Sequence, residues 1–199
     1  MEKRTRKADQ SDRTKAALIA AARGMFATRG YTALSAEEIA AACGVTTGAV
    51  YHQFGSKRGL FLAVFEAMEA ELTARVAAAA GGEGPPWEQF QTACVEFFDA
   101  CAEPGLRQVL LIDGRSVLGW EQWHDVMSRY GLGMTRSVLQ ALIDAGVLPP
   151  LPVDALANLL FGALNEGAMY IASAPDRARA RADAALALRH LLDGLARAL

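Results

Sequence analysis

Residues 35–54, SAEEIAAACGVTTGAVYHQF, constrain the chain more than any other stretch, because they read as two short helices joined by a sharp turn. Ser35 is placed to cap the first helix, Glu38 three residues on completes a capping box, and Leu34 just outside can staple onto Ile39 just inside. Gly44 supplies the left-handed or close-approach conformation that ends this helix and re-aims the chain. Thr46 caps the second helix, with Val45 packing toward Val50. Helical spacing turns Val50 and Phe54 inward and leaves Thr47, Gly48, Tyr51 and His52 outward. A glycine inside a helix costs roughly 1 kcal/mol, so Gly48 near the helix start suits a surface that something must approach closely. An exposed tyrosine and histidine beside it suit phosphate oxygens and base edges in a DNA major groove.

The next helix adds to this. Ser56 is a plausible cap, yet Lys57 and Arg58 follow at the end where the macrodipole disfavours cations by roughly 0.3–1 kcal/mol. An anionic partner removes that conflict; an ordinary solvated basic pair is the alternative. Together with the hairpin, the pair predicts phosphate contact. The net charge of −2 conceals an asymmetry: residues 1–60 carry ten Lys and Arg against five Asp and Glu, a net of +5, which leaves −7 for the rest. A basic head on an acidic body fits a nucleic-acid-binding end attached to a part with another task.

The 199 residues are enough for one large domain or two small ones, with ample apolar content for a core. No apolar run is long and charge-free enough to cross a bilayer, and the basic, polar N-terminus lacks a secretory apolar segment, so a cytoplasmic protein is expected. The run Lys3-Arg4-Thr5-Arg6-Lys7 in a polar tract predicts a flexible basic arm over 1–12, either DNA-following or merely solubilising. From Arg13, Leu18, Ala22, Met25 and Phe26 recur at helical spacing until Gly30, and this helix supports the hairpin. These elements make a head over 13–56, and a connecting helix over 57–81 follows, carrying Leu60, Phe61, Val64, Phe65, Met68 and Leu72. Gly81-Gly82-Glu83-Gly84-Pro85-Pro86 breaks it and opens a body over 82–199.

The body reads as helices throughout, with no strand alternation, for an all-α fold of about nine helices. One spans Pro86 to about Ala102, one roughly Leu106–Asp113, and the longest about Trp120–Ala145, closed by Gly146. Val153–Ala172 is apolar on nearly every side, with Gly162, Ala163, Gly167 and Ala168 allowing close helix approach. The last helix presents a further stripe through Ala185, Leu188, Leu192, Leu195 and Leu199. Two such helices from each of two subunits, packed as a four-helix bundle, predict a homodimer through the last two helices. Two-fold symmetry would then set two reading helices roughly 34–36 Å apart on pseudo-palindromic DNA.

The body also crowds aromatic and thioether side chains, which suit flat apolar ligands, although most serve as core. Asp113, Arg115, His124, Asn165 and Glu166 lie amid apolar runs, and buried polar groups need partners, whether a ligand or each other, as in Arg115 with Glu166 or Asp113. The candidate ligand-contacting residues are Phe97, Phe98, Asp113, Val117, Trp120, Trp123, His124, Met127, Phe161, Asn165 and Met169. Catalysis has no foothold: the three histidines lie on separate helices without ligand spacing, and no phosphate loop or nucleophile elbow occurs. Cys94 and Cys101 share a helix face but stand about 10 Å apart along it, too far for a bridge. No catalytic residue, metal site or cofactor is therefore expected.

From Arg13 to Glu66 the order of residues carries a specific signature: Met25-Phe26-Ala27-Thr28-Arg29-Gly30-Tyr31, Leu34-Ser35, Glu38-Ile39-Ala40, Gly44-Val45, then Gly48-Ala49-Val50-Tyr51-His52-Gln53-Phe54-Gly55-Ser56-Lys57 and Leu60-Phe61. This stretch resembles the N-terminal domain of the TetR family of transcriptional regulators. The resemblance implies a three-helix DNA-binding domain on a larger helical ligand-binding and dimerisation domain. It implies Thr47, Gly48 and Ala49 facing bases, with Tyr51, Gln53 and Lys57 binding or flanking phosphates. Family members often carry a basic or hydroxyl residue early in the first hairpin helix; Ala36-Glu37 stand there, so base contact from that helix is not expected. With the caps, the candidate DNA-contacting set is Ser35, Thr46, Thr47, Gly48, Ala49, Tyr51, His52, Gln53 and Lys57. The function expected is that of a ligand-responsive regulator, foremost a repressor, whose dimer binds operator DNA and is released by a small apolar or aromatic effector. A DNA-binding activator or global regulator without a ligand is the alternative.

Overall fold

Helix starts and stops follow the local chemistry closely in the computed structural model, which describes residues 2–196. The head holds α1 (Glu2–Arg29), α2 (Ala36–Ala42) and α3 (Thr47–Phe54), and α4 (Lys57–Ala79) leads into the body. There, α5 (Pro86–Ala102), α6 (Pro104–Leu106), a π-helical segment (Arg107–Asp113), α7 (Gly114–Arg129), α8 (Gly131–Asp144), α9 (Val153–Ser173) and α10 (Arg177–Ala196) follow. With α6, the π segment and α7 taken as one broken run, the described residues form nine helices and no strand.

The caps form as the sequence predicts. Ser35 Oγ accepts the Glu38 amide at 3.1 Å while the Glu38 carboxylate accepts the Ser35 amide at 2.8 Å. That backbone bond, with Arg29 at 2.9 Å, holds the Glu38 carboxyl below its usual range. Thr46 caps α3 through the Ala49 amide, Gly44 turns at φ +65°, and Ser56 caps α4 through the Gly59 amide at 3.0 Å. Leu18, Phe26, Ile39, Val50, Leu60 and Phe61 close the core of the head.

Two predicted elements differ. Composition predicts a flexible arm over 1–12, whereas the backbone of α1 is helical from Glu2. The packed half of α1 beyond Leu18 supplies the costly nucleus, and the Lys, Arg, Ala and Gln that precede it extend the helix cheaply. The apolar spacing of Trp120–Ala145 predicts one helix, yet the chain breaks at Tyr130 (φ −118°, ψ −108°). Gly131 and Gly133 make the break: a Cβ would lie 3.0 Å from the Phe161 ring at the first and 2.3 Å from the Ser128 carbonyl oxygen at the second.

Head and body share one apolar core, with α4 as the common member. Its buried residues run from Leu60 and Phe61 in the head to Leu72 and Val76 in the body. Gly114 admits the Phe65 ring edge, where a Cβ would stand 2.4 Å away. Asp113 Oδ2, at the end of the π segment, accepts the Tyr31 amide at 2.9 Å. No helix among the described residues is long and apolar enough to cross a membrane.

Candidate DNA-reading surface and effector cavity

The candidate reading surface is the outer face of α3, a helix held at its ends by capping and on its inner side by Val50. Tyr51 is 49 % exposed, and Gly48 and His52 are exposed beside it; Thr47 and Ala49 are half-buried. A Cβ on Gly48 would meet only Thr46 Oγ1, at 3.7 Å, so the face over it is open. Ser35 and Thr46 spend acceptor capacity on their caps, and Gln53 Nε2 donates to Ser11 on α1 at 2.8 Å.

Both cations after Ser56 have partners within the chain. Lys57 Nζ donates to the Tyr31 carbonyl at 3.0 Å and the Leu34 carbonyl at 2.7 Å, and sits 3.9 Å from the centre of the Tyr31 ring. Arg58 donates to the Val117 and Leu118 carbonyls at 3.0 and 2.6 Å. The dipole conflict that suggested an outside anion is met by backbone oxygens of the protein itself. Lys57 fastens the loop before α2 to the start of α4, and Arg58 fastens α4 to α7 at the point where Gly119 (φ +72°) interrupts it.

Farther along α4 lies a cavity of about 200 Å³ between α4, α5, the π segment, α7, α8 and α9. Of the ligand candidates, Phe97, Trp123, Met127, Phe161 and Asn165 line it. The rest have other posts. Phe98 is buried against Gly167, Asp113 holds the Tyr31 amide, and the Val117 carbonyl takes Arg58. Trp120 is exposed, with its ring centre 5.6 Å from that of Trp123 and 5.1 Å from that of His124 and the Arg115 guanidinium 4.9 Å over it; His124 Nδ1 is 3.4 Å from Ser128 Oγ. Met169 does not line the cavity. The suggested pairing of Arg115 with Glu166 or Asp113 is replaced by these ring contacts, and Glu166 is exposed.

The wall also contains residues the sequence reading missed, above all Glu69 and Thr73, one turn apart on α4. Glu69 is 6 % exposed, and desolvation pushes its carboxyl up to about 8. Burial likewise pushes the Cys94 thiol up to about 12 and raises that of Cys101, so both stay neutral thiols at physiological pH. Glu69 was detectable: Phe65, Glu69, Leu72 and Val76 follow the i, i+4, i+7, i+11 spacing of one helix face, and a carboxylate on that apolar face needs a reason.

Comparison with known proteins decides the family. The family model "Bacterial regulatory proteins, tetR family" matches residues 18–64, and "Tetracyclin repressor-like, C-terminal domain" matches residues 87–195, more than half the chain. The chain belongs to the TetR family. A TetR-family transcriptional regulator from Pectobacterium atrosepticum has the same fold, with a TM-score of 0.83 at 34 % identity over 94 % of this chain and 96 % of that one. The Transposon Tn10 TetC protein of Escherichia coli is 25 % identical over 81 % of this chain and 82 % of its own length. The fold of RolR in complex with resorcinol matches with a TM-score of 0.70 at 22 % identity, covering 92 % of this chain and 89 % of that one. TetR-family membership makes α2 and α3 a DNA-binding helix-turn-helix and the protein a transcriptional regulator.

Proposed function

We propose that this regulator is a cytoplasmic, homodimeric, ligand-responsive repressor that leaves pseudo-palindromic operator DNA when a small apolar or aromatic molecule enters the cavity. The observation that carries this reading is the double duty of α4. Its first turn clamps the head through Lys57 and α7 through Arg58, and its later turns line the cavity with Glu69, Leu72, Thr73 and Val76. The π segment has the same double role: Leu110 and Leu111 line the cavity, and Asp113 at its end holds the head loop at Tyr31. π-helical turns frequently occur at functional sites. RolR, which shares the fold, takes resorcinol, an aromatic molecule. A ligand that favours one arrangement of α4 and the π segment shifts the population of head positions, and operator affinity falls by the differential binding energy.

Compounds that raise the melting temperature provide the test. They should weaken binding to a duplex enriched from a random pool, and operator DNA should weaken their binding by the same factor. Stabilising compounds that leave DNA affinity unchanged would defeat the repressor-release reading and favour a regulator acting without a ligand.

The DNA face is proposed to use Thr47, Gly48 and Ala49 toward bases, with Tyr51 and His52 toward the backbone. Tyr51→Ala should lower operator affinity about tenfold or more per head, because a hydrogen bond to a charged group contributes roughly 1.5–3 kcal/mol. Unchanged retardation in a gel-shift titration would refute the assigned surface. The dimer is proposed to form through α9 and α10. Leu159, 74 % exposed, shares a face of α9 with Ala163, Glu166 and Tyr170, and Leu186 and Leu191 are exposed on α10. The double variant Leu159→Glu/Leu191→Glu should sediment as a monomer with unchanged helix content; a persisting dimer would place the interface elsewhere.

A further inference from the structure

The polar groups of the cavity can be counted, and they do not balance. Glu69 is buried, burial is what raises its carboxyl, and it lies near enough to the buried Cys101 thiol to raise that group in turn. Thr73 Oγ1, one turn on, is buried without a hydrogen-bond partner among the described residues. Thr135 Oγ1 already donates to the Gly131 carbonyl at 2.8 Å, and Asn165 Nδ2 donates to the Phe161 carbonyl at 2.9 Å. What remains for a ligand is the Glu69 carboxyl, the Thr73 hydroxyl and the Asn165 amide oxygen; with Glu69 ionised, acceptors outnumber donors. Among the described residues no lysine or arginine lines the cavity; the rest of its wall is almost entirely apolar.

Such a wall discriminates by charge. A carboxylate-bearing molecule would bring its negative charge into an apolar wall beside Glu69 with no cation to meet it, an arrangement that desolvation makes costly. A neutral alcohol could use Thr73 and a protonated Glu69 but would leave acceptors idle. A protonated amine brings both what the count lacks, several N–H donors, and the positive charge that lets Glu69 ionise inside an apolar wall. We propose that the effector is an apolar, ring-bearing molecule with one protonated amine, which Glu69 receives as its carboxylate partner while Thr73 accepts a further N–H. This rests on the effector-cavity reading above and narrows it to a chemical class. The size agrees: cavities of about 150 Å³ hold benzene, so about 200 Å³ takes one ring with a short substituent.

The test uses four molecules of one shape: 4-ethylbenzylamine, 4-ethylbenzyl alcohol, 4-ethylbenzoate and 4-ethyltoluene, titrated calorimetrically at pH 7 against the full chain and against Glu69→Gln. The amine should bind at least tenfold tighter than the alcohol, and the benzoate weakest. Glu69→Gln, which keeps the shape and removes the charge, should erase the amine's advantage while toluene-type binding persists. An amine no better than the alcohol, or a preference that survives in Glu69→Gln, overturns the proposal. Binding of 4-ethyltoluene in that case would leave the effector-cavity reading standing. Failure of all four to bind would overturn both.

Discussion

At pH 9, Glu69→Gln is expected to be more stable than the wild type by several kcal/mol, whereas near pH 4 the two should unfold at similar urea concentrations. The carboxyl is pushed from its ordinary 4.5 to about 8 by burial. Below pH 4.5 the group is protonated in both folded and unfolded chains and does not bias folding. Between 4.5 and about 8 the unfolded chain releases the proton that the folded chain keeps, so stability falls by about 1.4 kcal/mol per pH unit. Above about 8 the loss levels off at roughly 5 kcal/mol. The neighbouring thiols stay protonated through this window, since burial raises both Cys94 and Cys101. Gln has nearly the same shape and nothing to ionise, so it escapes the decline. Urea midpoints of the two proteins at pH 4 and pH 9 check this; an equal gap at both would mean that the carboxyl is paired or solvated.

Gly59→Ala should cost about 3 kcal/mol or more and cripple DNA binding. Gly59 lies in the first turn of α4, where an added Cβ would stand 2.0 Å from the Phe54 carbonyl oxygen at the end of α3. The obstacle is backbone, so no rotamer change relieves it. Either α3 moves relative to α4 or the Ser56 cap on the Gly59 amide opens. Both outcomes displace the helix that carries Tyr51. Denaturant unfolding and gel-shift titration of Gly59→Ala read the two effects. Wild-type values in both would show that the α3–α4 turn accommodates the added methyl without moving α3.

The head was legible in sequence because its instructions are local. Ser35, Glu38, Gly44, Thr46 and Ser56 each act on groups within a few residues, and each adopts the conformation its chemistry dictates. The partners of Lys57 and Arg58 were not legible, because they are carbonyls 23 to 60 residues away, and a backbone acceptor leaves no mark in the sequence. In the body, aromatic side chains at helical spacing look alike whether they fill a core, as Phe98 does, or face a cavity, as Phe97 does. The break at Tyr130 was hidden for a related reason: Gly131 and Gly133 matter through contacts with Phe161 and the Ser128 carbonyl, and apolar periodicity carries straight across them. Glu69 was the exception, a readable anomaly that a search for aromatic clusters passes over.

On the proposed function, two copies of this chain present paired α3 helices to one duplex. Duplexes enriched from a random pool by the wild-type protein, followed by the mass of the resulting complex, test it most directly. The enriched sequences should contain an inverted repeat with half-site centres about one helical turn, or a multiple of it, apart, and the complex should contain chains in pairs on each duplex. A single chain on an asymmetric site, or no enrichment at all, would contradict it.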